Sequence, residues 1–115
     1  MKDKQIDSYW RLQHILKAII SIENFINDYS EGKFLSDSLI SSAVLFQFSM
    51  IGEAIIYVDE SILNKYEYPW YKIRAFRILI AHEYFNIKLS AVWRIIKEEL
   101  PKLKALVELI LKNEF

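Results

Sequence analysis

Cysteine is absent from this chain of 115 residues, and its absence excludes several kinds of chemistry. Disulfide scaffolds, thiolate metal sites and cysteine nucleophiles are all ruled out. Histidine occurs only twice, and no cluster of histidines and carboxylates has the spacing of metal ligands. The sequence also has no glycine-rich loop of the kind that cradles phosphates. We therefore expect a protein without a metal or other cofactor, in a reducing compartment such as the cytoplasm.

Glycine and proline are also scarce, with two of each, and hairpin dipeptides such as Asn-Gly do not occur. The long stretches between them carry helical periodicity, as in the steps of three and four that join Leu12, Ile15, Ile19 and Ile22. The sequence therefore predicts an all-α fold, an antiparallel bundle of four to five helices that forms one domain over residues 1–115.

The few helix-breaking residues divide the predicted bundle. Gly32 suits the turn that ends the first helix, and Pro69 suits the first turn of the third. Ser90 is a candidate N-cap for the fourth helix, which Pro101 either kinks or divides in two. We predict helices at about residues 4–29, 36–62 and 70–85, and one or two more from Ser90 onward, with Ser36 or Asp37 capping the second.

The charges balance, with 15 basic and 15 acidic residues, so bulk charge does not attract nucleic acid. Any contact with RNA has to come from a local cluster of basic side chains. Hydrophobic residues make up 53% of the chain and aromatic residues 15%, more than a small monomer needs, and we expect a second copy of the chain to cover the surplus. No uninterrupted apolar run approaches the roughly 18 residues of a membrane span, so we expect no membrane association.

The candidate catalytic residues are Arg77 and His82, since the other histidine, His14, lies among apolar positions and is interpreted as structural. Residues five apart lie about 140° apart around an α-helix, so Arg77 and His82 do not share one face. Completing a site from both requires a helix distortion or a second copy of the segment, which a two-fold dimer supplies. Tyr84 and Arg74 lie close to the Arg77 face, seven residues after it and three before it.

These residues belong to a set of linked motifs, Arg-x4-His-x-Tyr preceded by Pro-Trp and followed by Val-Trp and Leu-Pro. Between about Gln47 and Leu103, this set resembles HepT-type ribonuclease toxins of the HEPN superfamily. The matching positions are Gln47, Ile51-Gly52-Glu53-Ala54, Pro69-Trp70, Arg77, His82, Tyr84, Val92-Trp93 and Leu100-Pro101.

The resemblance implies a metal-independent endoribonuclease that acts as a homodimer. It implies the toxin of a type VII-like toxin–antitoxin system, neutralised by a small nucleotidyltransferase antitoxin. In that family Arg77 and His82 correspond to the catalytic pair, and Tyr84 to the tyrosine that accepts AMP in some systems. We expect Arg74 and Tyr84 to position the RNA. A histidine exchanges protons near neutral pH, and an arginine offers forked donors to the charge that develops on phosphate.

One departure from the family pattern keeps a second hypothesis open. The family commonly has Asn directly after the motif arginine, and this chain has Ile78. The alternative is a catalytically inactive HEPN-like helical module that binds a nucleotide or scaffolds a nucleotidyltransferase. Glu53 is interpreted mainly as structural, with a contact to the site as the other possibility.

Overall fold

The computed structural model describes residues 3–115, and this range contains helices and their connections but no strand. The predicted all-α bundle is confirmed. The elements are α1 (Asp3–Phe25), α2 (Glu31–Ser36), α3 (Ser38–Ile56), α4 (Glu60–Leu63), α5 (Trp70–His82), a 3-10 turn (Tyr84–Asn86), α6 (Leu89–Arg94), a π-helical turn (Ile95–Glu99) and α7 (Leu100–Glu114).

Helix α3 is the centre of the bundle, because it packs against α1 on one side and against α5 on the other. Its side chains Val44, Ile51 and Ile55 are almost completely buried, and Phe48 meets Phe76 of α5 with ring centroids 5.2 Å apart. By length and composition alone α3 is also apolar enough to cross a membrane. Its place between two packed helices accounts for that composition, since a helix with neighbours on several sides is apolar on several sides.

Helix α3 begins as predicted, because the Asp37 side chain accepts a hydrogen bond from the Ile40 amide at 3.2 Å and caps the first turn. The predicted end near Ile62 is wrong. The helix stops at Ile56, and Asp59 starts the separate helix α4 by accepting a hydrogen bond from the Ser61 amide at 3.0 Å. A second capping residue within the predicted helix thus divides it.

The prediction that Gly32 ends the first helix is also wrong. Helix α1 already ends at Phe25, and Gly32 lies inside the short helix α2. Ser30 is the N-cap of α2 and accepts a hydrogen bond from the Lys33 amide at 3.2 Å. A serine before Glu31 marks the start of a helix, and this signal outweighed the glycine that follows it.

The last quarter of the chain is one continuous helical segment from Leu89 to Glu114. Ser90 does not cap it, because the N-cap is Lys88. Pro101 lies in the first turn of α7, so the prediction that a further helix begins at this proline is confirmed, and the π-helical turn joins α7 to α6 without a gap. The proline has no N–H to donate one turn back, and the π-helical turn Ile95–Glu99 directly before it provides the wider hydrogen-bonding pattern.

Polar contacts join the ends of the helices. The buried Ser8 hydroxyl of α1 accepts a hydrogen bond from the Asp59 amide at 2.9 Å. At the end of α7, Glu114 accepts hydrogen bonds from Lys65 and Tyr66, both at 2.8 Å, and these donors lower the pKa of its carboxyl. The contacts of Glu114 therefore join the end of α7 to the segment that precedes α5, away from His82 at the C-terminal end of that helix.

Candidate active site

Arg77 lies where α5 crosses α3, and Gly52 makes that crossing possible. A Cβ atom added at Gly52 would lie 2.5 Å from the Cβ of Arg77, closer than two such atoms can approach. Gly52 has no positive φ, so its role is close helix contact rather than an unusual backbone conformation. The absence of a side chain at Gly52 sets how close the backbone of Arg77 comes to α3.

The guanidinium of Arg77 pairs with the carboxylate of Glu53, with Nη2 and Oε2 only 2.6 Å apart. The two side chains are 37% and 39% exposed, so the pair is at the surface and not in the core. An ion pair this short keeps the guanidinium beside the Glu53 carboxylate. Glu53, interpreted from sequence as mainly structural, is therefore in direct contact with the candidate catalytic arginine.

His82 is the last residue of α5, and it is exposed. Within residues 3–115 its imidazole takes part in no side-chain hydrogen bond or ion pair. Arg77 and His82 belong to the same regular helix, about 7.5 Å apart along its axis and about 140° apart around it. A single chain therefore leaves both groups accessible but does not bring them together.

Tyr84 lies beyond the end of α5, and the predicted extension of this helix to Phe85 is wrong. After His82 the chain leaves the α-helix at Glu83 and forms a 3-10 turn. The Tyr84 hydroxyl donates a hydrogen bond to the Ser42 hydroxyl of α3 at 2.7 Å. Ser42 and Glu53 lie on the same side of α3, about 16 Å apart, so Tyr84 and Arg77 contact one edge of α3 at separate points.

Arg74 precedes Arg77 by one turn of α5 and is half-buried. Its Nε atom is buried without a hydrogen-bond partner in the part of the chain that the structure describes. The guanidinium thus adds positive charge next to Arg77.

Large apolar side chains are exposed beside these residues. Leu39, Phe46 and Met50, which we call the apolar strip of α3, are 78%, 58% and 41% exposed and lie within about 40° of one another around the helix. From the α5 side, Ile78 is 53% exposed and Phe85 is 97% exposed. The three side chains of the apolar strip form a concentration of exposed apolar surface that is rare in monomers, so the strip has the composition of an interface.

Sequence reasoning missed a basic groove between α1 and α3. His14, interpreted as structural, is exposed and lines this groove together with Arg11 and Lys17. The groove has a volume of about 280 Å³, and Glu53 belongs to its opposite wall. The three-residue spacing of the basic side chains on α1 is the signal that would have revealed it.

A larger apolar cavity of about 340 Å³ lies elsewhere, lined by residues such as Tyr68, Phe76 and Leu103 but by none of the candidate site residues. Burial and the nearby charge of Glu99 raise the pKa of the Tyr68 hydroxyl. Within residues 3–115, no group of three or more His, Cys, Asp or Glu side chains is placed to hold a metal ion.

Comparison with known proteins identifies the family. The family model described as "Ribonuclease HepT-like" matches residues 15–110, and the chain therefore belongs to the HepT-like ribonuclease family. The resemblance noted from the motifs is confirmed. No solved structure matches this chain.

Curated relatives come from archaea and bacteria. A Methanocaldococcus jannaschii protein named provisionally as an RNase is 31% identical over 86% of this chain and 92% of its own length. A Thermococcus cleftensis protein named provisionally as ribonuclease HepT is 30% identical over 88% of this chain and 93% of its own. A third, from M. jannaschii, joins a gamma-glutamylcyclotransferase and a provisional RNase in its name; it is 34% identical over 81% of this chain, which spans only 42% of that protein.

Proposed function

We propose that this protein is a metal-independent endoribonuclease that acts as a homodimer in the cytoplasm, as the toxin of a type VII-like toxin–antitoxin system. Membership of the HepT-like ribonuclease family supports the activity. The main structural support is the accessibility of the two candidate catalytic side chains. Arg77 lies at the surface in an ion pair with Glu53, and the His82 imidazole is exposed on the same helix.

The chemistry requires only these two side chains and the RNA. The ribose 2′-hydroxyl attacks the adjacent phosphorus, so the protein need not supply a nucleophile. His82 takes the hydroxyl proton or gives a proton to the departing 5′-oxygen, and a histidine is suited to either role near neutral pH. Arg77 donates hydrogen bonds to the charge that develops on the phosphate oxygens. The P–O5′ bond breaks and leaves a 2′,3′-cyclic phosphate.

A dimer completes this site in the proposal. Arg77 and His82 point to different sides of α5, so the arginine of one subunit works with the histidine of the other. An isologous interface over the apolar strip of α3 would place the two α5 helices near each other and would cover Phe46 and Met50. The same interface would account for the high exposure of Phe85.

The first experiment measures cleavage of a single-stranded RNA by the purified protein in the presence of EDTA. We expect cleavage with a 2′,3′-cyclic phosphate product, and a loss of at least about 100-fold in rate for His82→Ala and for Arg77→Ala. Arg94→Ala is the matched control, because Arg94 is exposed on α6 outside the site. Undiminished cleavage by His82→Ala would remove His82 from the mechanism.

Mixing the two inactive variants tests the shared site directly. In a mixed dimer of Arg77→Ala and His82→Ala subunits, one of the two sites receives both an intact arginine and an intact histidine. After exchange of subunits we expect about one quarter of the wild-type activity, because half of the dimers are mixed and each has one intact site. No recovery, with exchange verified by labelled subunits, would show that both groups act within one chain or that both copies of each are required.

We further propose that a nucleotidyltransferase antitoxin transfers AMP from ATP to the Tyr84 hydroxyl and releases pyrophosphate. The hydroxyl is at the surface and is engaged only by the exposed Ser42 within the described chain. Adding a nucleotide there would bring bulk and negative charge to the end of α5, next to His82, and would repel RNA. Mass spectrometry after co-expression with the antitoxin should find the modification in the wild type and not in Tyr84→Phe.

The exposed Ile78 favours a second candidate, an inactive helical module that binds a nucleotide or scaffolds the transferase. Tight complex formation with the transferase, without RNA cleavage and without a growth defect on expression, would identify this function. Toxicity that Arg77→Ala abolishes would exclude it.

A further inference from the structure

The groove between α1 and α3 has one basic wall. Arg11, His14 and Lys17 follow one another at three-residue spacing along α1, so they are neighbours on one side of the helix. The small side chains of Ala18 and Ala54, both 4% exposed, lie at its base and leave it open.

The opposite wall connects the groove to the candidate active site. It consists of Gln47, Met50 and Glu53 from α3, and Glu53 is the residue that holds Arg77 at 2.6 Å. Met50 also belongs to the apolar strip of α3, so the groove borders the surface proposed for the dimer. A chain molecule bound at Arg77 can therefore continue past Glu53 into the groove.

The charges in the groove suit a polyanion. The one carboxylate on its walls is that of Glu53, which is already paired with Arg77. Arg11 has only a long contact of 3.5 Å with the exposed Asp7, and Lys17 enters no ion pair in the part of the chain that the structure describes. In a chain without net charge, this wall is the local basic cluster that binding of nucleic acid requires.

An aromatic ring stands at one end of the basic wall. The Arg11 guanidinium lies over the ring of Tyr57, 4.3 Å from its centroid, and Tyr57 is 49% exposed. Exposed rings and guanidinium planes are the surfaces on which unpaired bases stack, whereas a duplex keeps its bases stacked on one another. The combination of a basic wall and a stacked guanidinium points to a single strand.

We propose that this groove binds the backbone of single-stranded RNA that flanks the cleaved phosphate, with Arg11, His14 and Lys17 on successive phosphates. The proposal rests on the ribonuclease function proposed above and says where the rest of the substrate lies. Arg11 and Lys17 act through charge, and His14 and Gln47 supply hydrogen bonds between them.

The decisive experiment measures binding without cleavage. In a His82→Ala background, the Arg11→Ala/Lys17→Ala variant is compared with Arg94→Ala/Lys112→Ala, which removes the same two charge types from exposed positions outside the groove. The probe is a fluorescent ten-nucleotide RNA. We expect the groove variant to bind the RNA on the order of tenfold more weakly. A plot of the logarithm of its binding constant against the logarithm of the salt concentration should have a slope that is shallower by about 0.7 for each phosphate that the variant no longer neutralises. The control pair should match the His82→Ala parent.

A second measurement separates the groove from the catalytic centre. With His82 intact, the groove variant should cleave a dinucleotide, which has a single phosphate, at the wild-type kcat/KM. It should cleave the ten-nucleotide RNA with a reduced kcat/KM that comes mainly from a higher KM. Loss of dinucleotide cleavage would assign Arg11 and Lys17 to the catalytic centre and would overturn the proposal.

The outcomes distinguish the two proposals. If the wild type cleaves RNA but the groove variant binds the ten-nucleotide probe as the control pair does, the groove proposal is overturned and the ribonuclease stands. If the probe binds through the groove but the wild type does not cleave RNA, the proposed ribonuclease function is wrong and the proposed RNA-binding groove is supported. Unchanged RNA affinity with weaker binding to a nucleotidyltransferase would assign the groove to a protein partner and would also overturn the proposal.

Discussion

At the scale of single residues, the two glycines have different surroundings. Gly52 faces the Cβ of Arg77 across the crossing of α3 and α5, whereas a Cβ added at Gly32 would meet open space, with no neighbouring atom within 4 Å. Gly32 lies in α2 and has no positive φ. The two positions therefore form a matched pair for testing what the helix crossing requires.

We expect Gly52→Ala to lower the free energy of unfolding by about 1–3 kcal/mol, because the added methyl group has to push α5 away from α3. Activity should fall further than the loss of folded protein explains, since the displaced segment carries Arg77. Gly32→Ala should instead stabilise the protein by about 0.4–1 kcal/mol, because it restricts the unfolded chain. Urea unfolding of both variants measures the difference. Equal stability of Gly52→Ala and the wild type would mean that the crossing adjusts without strain.

Ile78 is the second residue that can be tested by itself, since it is exposed directly after Arg77 where the family commonly has Asn. We expect Ile78→Asn to raise the cleavage rate by about fivefold, the factor that one hydrogen bond of about 1 kcal/mol to the phosphate or imidazole provides. Leu79→Asn, at the exposed neighbouring position, is the control and should not gain activity. A rate unchanged by Ile78→Asn would show that the family amide has no part in this site.

At the scale of helices, the ends are decided by single capping side chains. Asp37 accepts hydrogen bonds from the Ile40 amide and, at 2.6 Å, from the Tyr29 hydroxyl, so it joins the segment after α1 to the start of α3. These donors, first the Tyr29 hydroxyl, lower the pKa of the Asp37 carboxyl. The same contact raises the pKa of Tyr29.

The lowered pKa makes this cap sensitive to acid. Its contribution is complete above the unfolded-state pKa of about 3.9 and is lost as the pH falls through the lower folded-state value. We therefore expect Asp37→Ala to be less stable than the wild type at pH 7, and the gap in unfolding free energy to shrink once the pH drops below about 4. Asp28→Ala is the control, an exposed aspartate without a hydrogen bond in residues 3–115. A gap that does not change with pH would show that the ionised carboxylate contributes nothing.

The helices themselves could be predicted from sequence, because apolar spacing reports which side of a segment is buried. Their ends could be predicted only in part. The sequence identifies Asp37 as an N-cap. Ser30 and Asp59 are also N-caps, but each lies within a stretch whose other residues predict a different helix end, and tertiary packing decides which signal the chain follows. The 3-10 turn after His82 was missed for the same reason, since Tyr84 is held by Ser42 from another helix.

At the scale of the whole molecule, the sequence predicted that RNA binding would need a local basic cluster but not where it lies. The three-residue spacing of Arg11, His14 and Lys17 places them on one side of α1, but they form the wall of a groove only when α1 packs beside α3. Arg77 and His82 were recognisable because a linked motif marks them, whereas the contact of Arg77 with Glu53 depends on the crossing at Gly52. Residues joined by tertiary packing alone leave no periodic signal in the chain.

The exposed apolar surface gives a prediction for assembly. We expect the wild type to be a dimer and Phe46→Lys to weaken it by about 3 kcal/mol or more, because two phenylalanines leave the interface, each worth about 1.5–3 kcal/mol, and two like charges meet. RNA cleavage should be lost while circular dichroism stays helical. Leu109→Lys is the control, because Leu109 is similarly exposed but lies on α7. Sedimentation velocity measures the change, and a wild-type monomer at high concentration would contradict the proposed assembly.

The ion pair between Arg77 and Glu53 also gives the resting protein a way to discriminate among anions. In the function proposed above, the carboxylate occupies the guanidinium before any substrate arrives, so an incoming phosphate would have to displace it. A small free anion brings no other attachment with which to compete, whereas a polymer anchored at several neighbouring points can. Glu53 would then keep inorganic phosphate out of the site, while a substrate that the protein also contacts at other points would displace it.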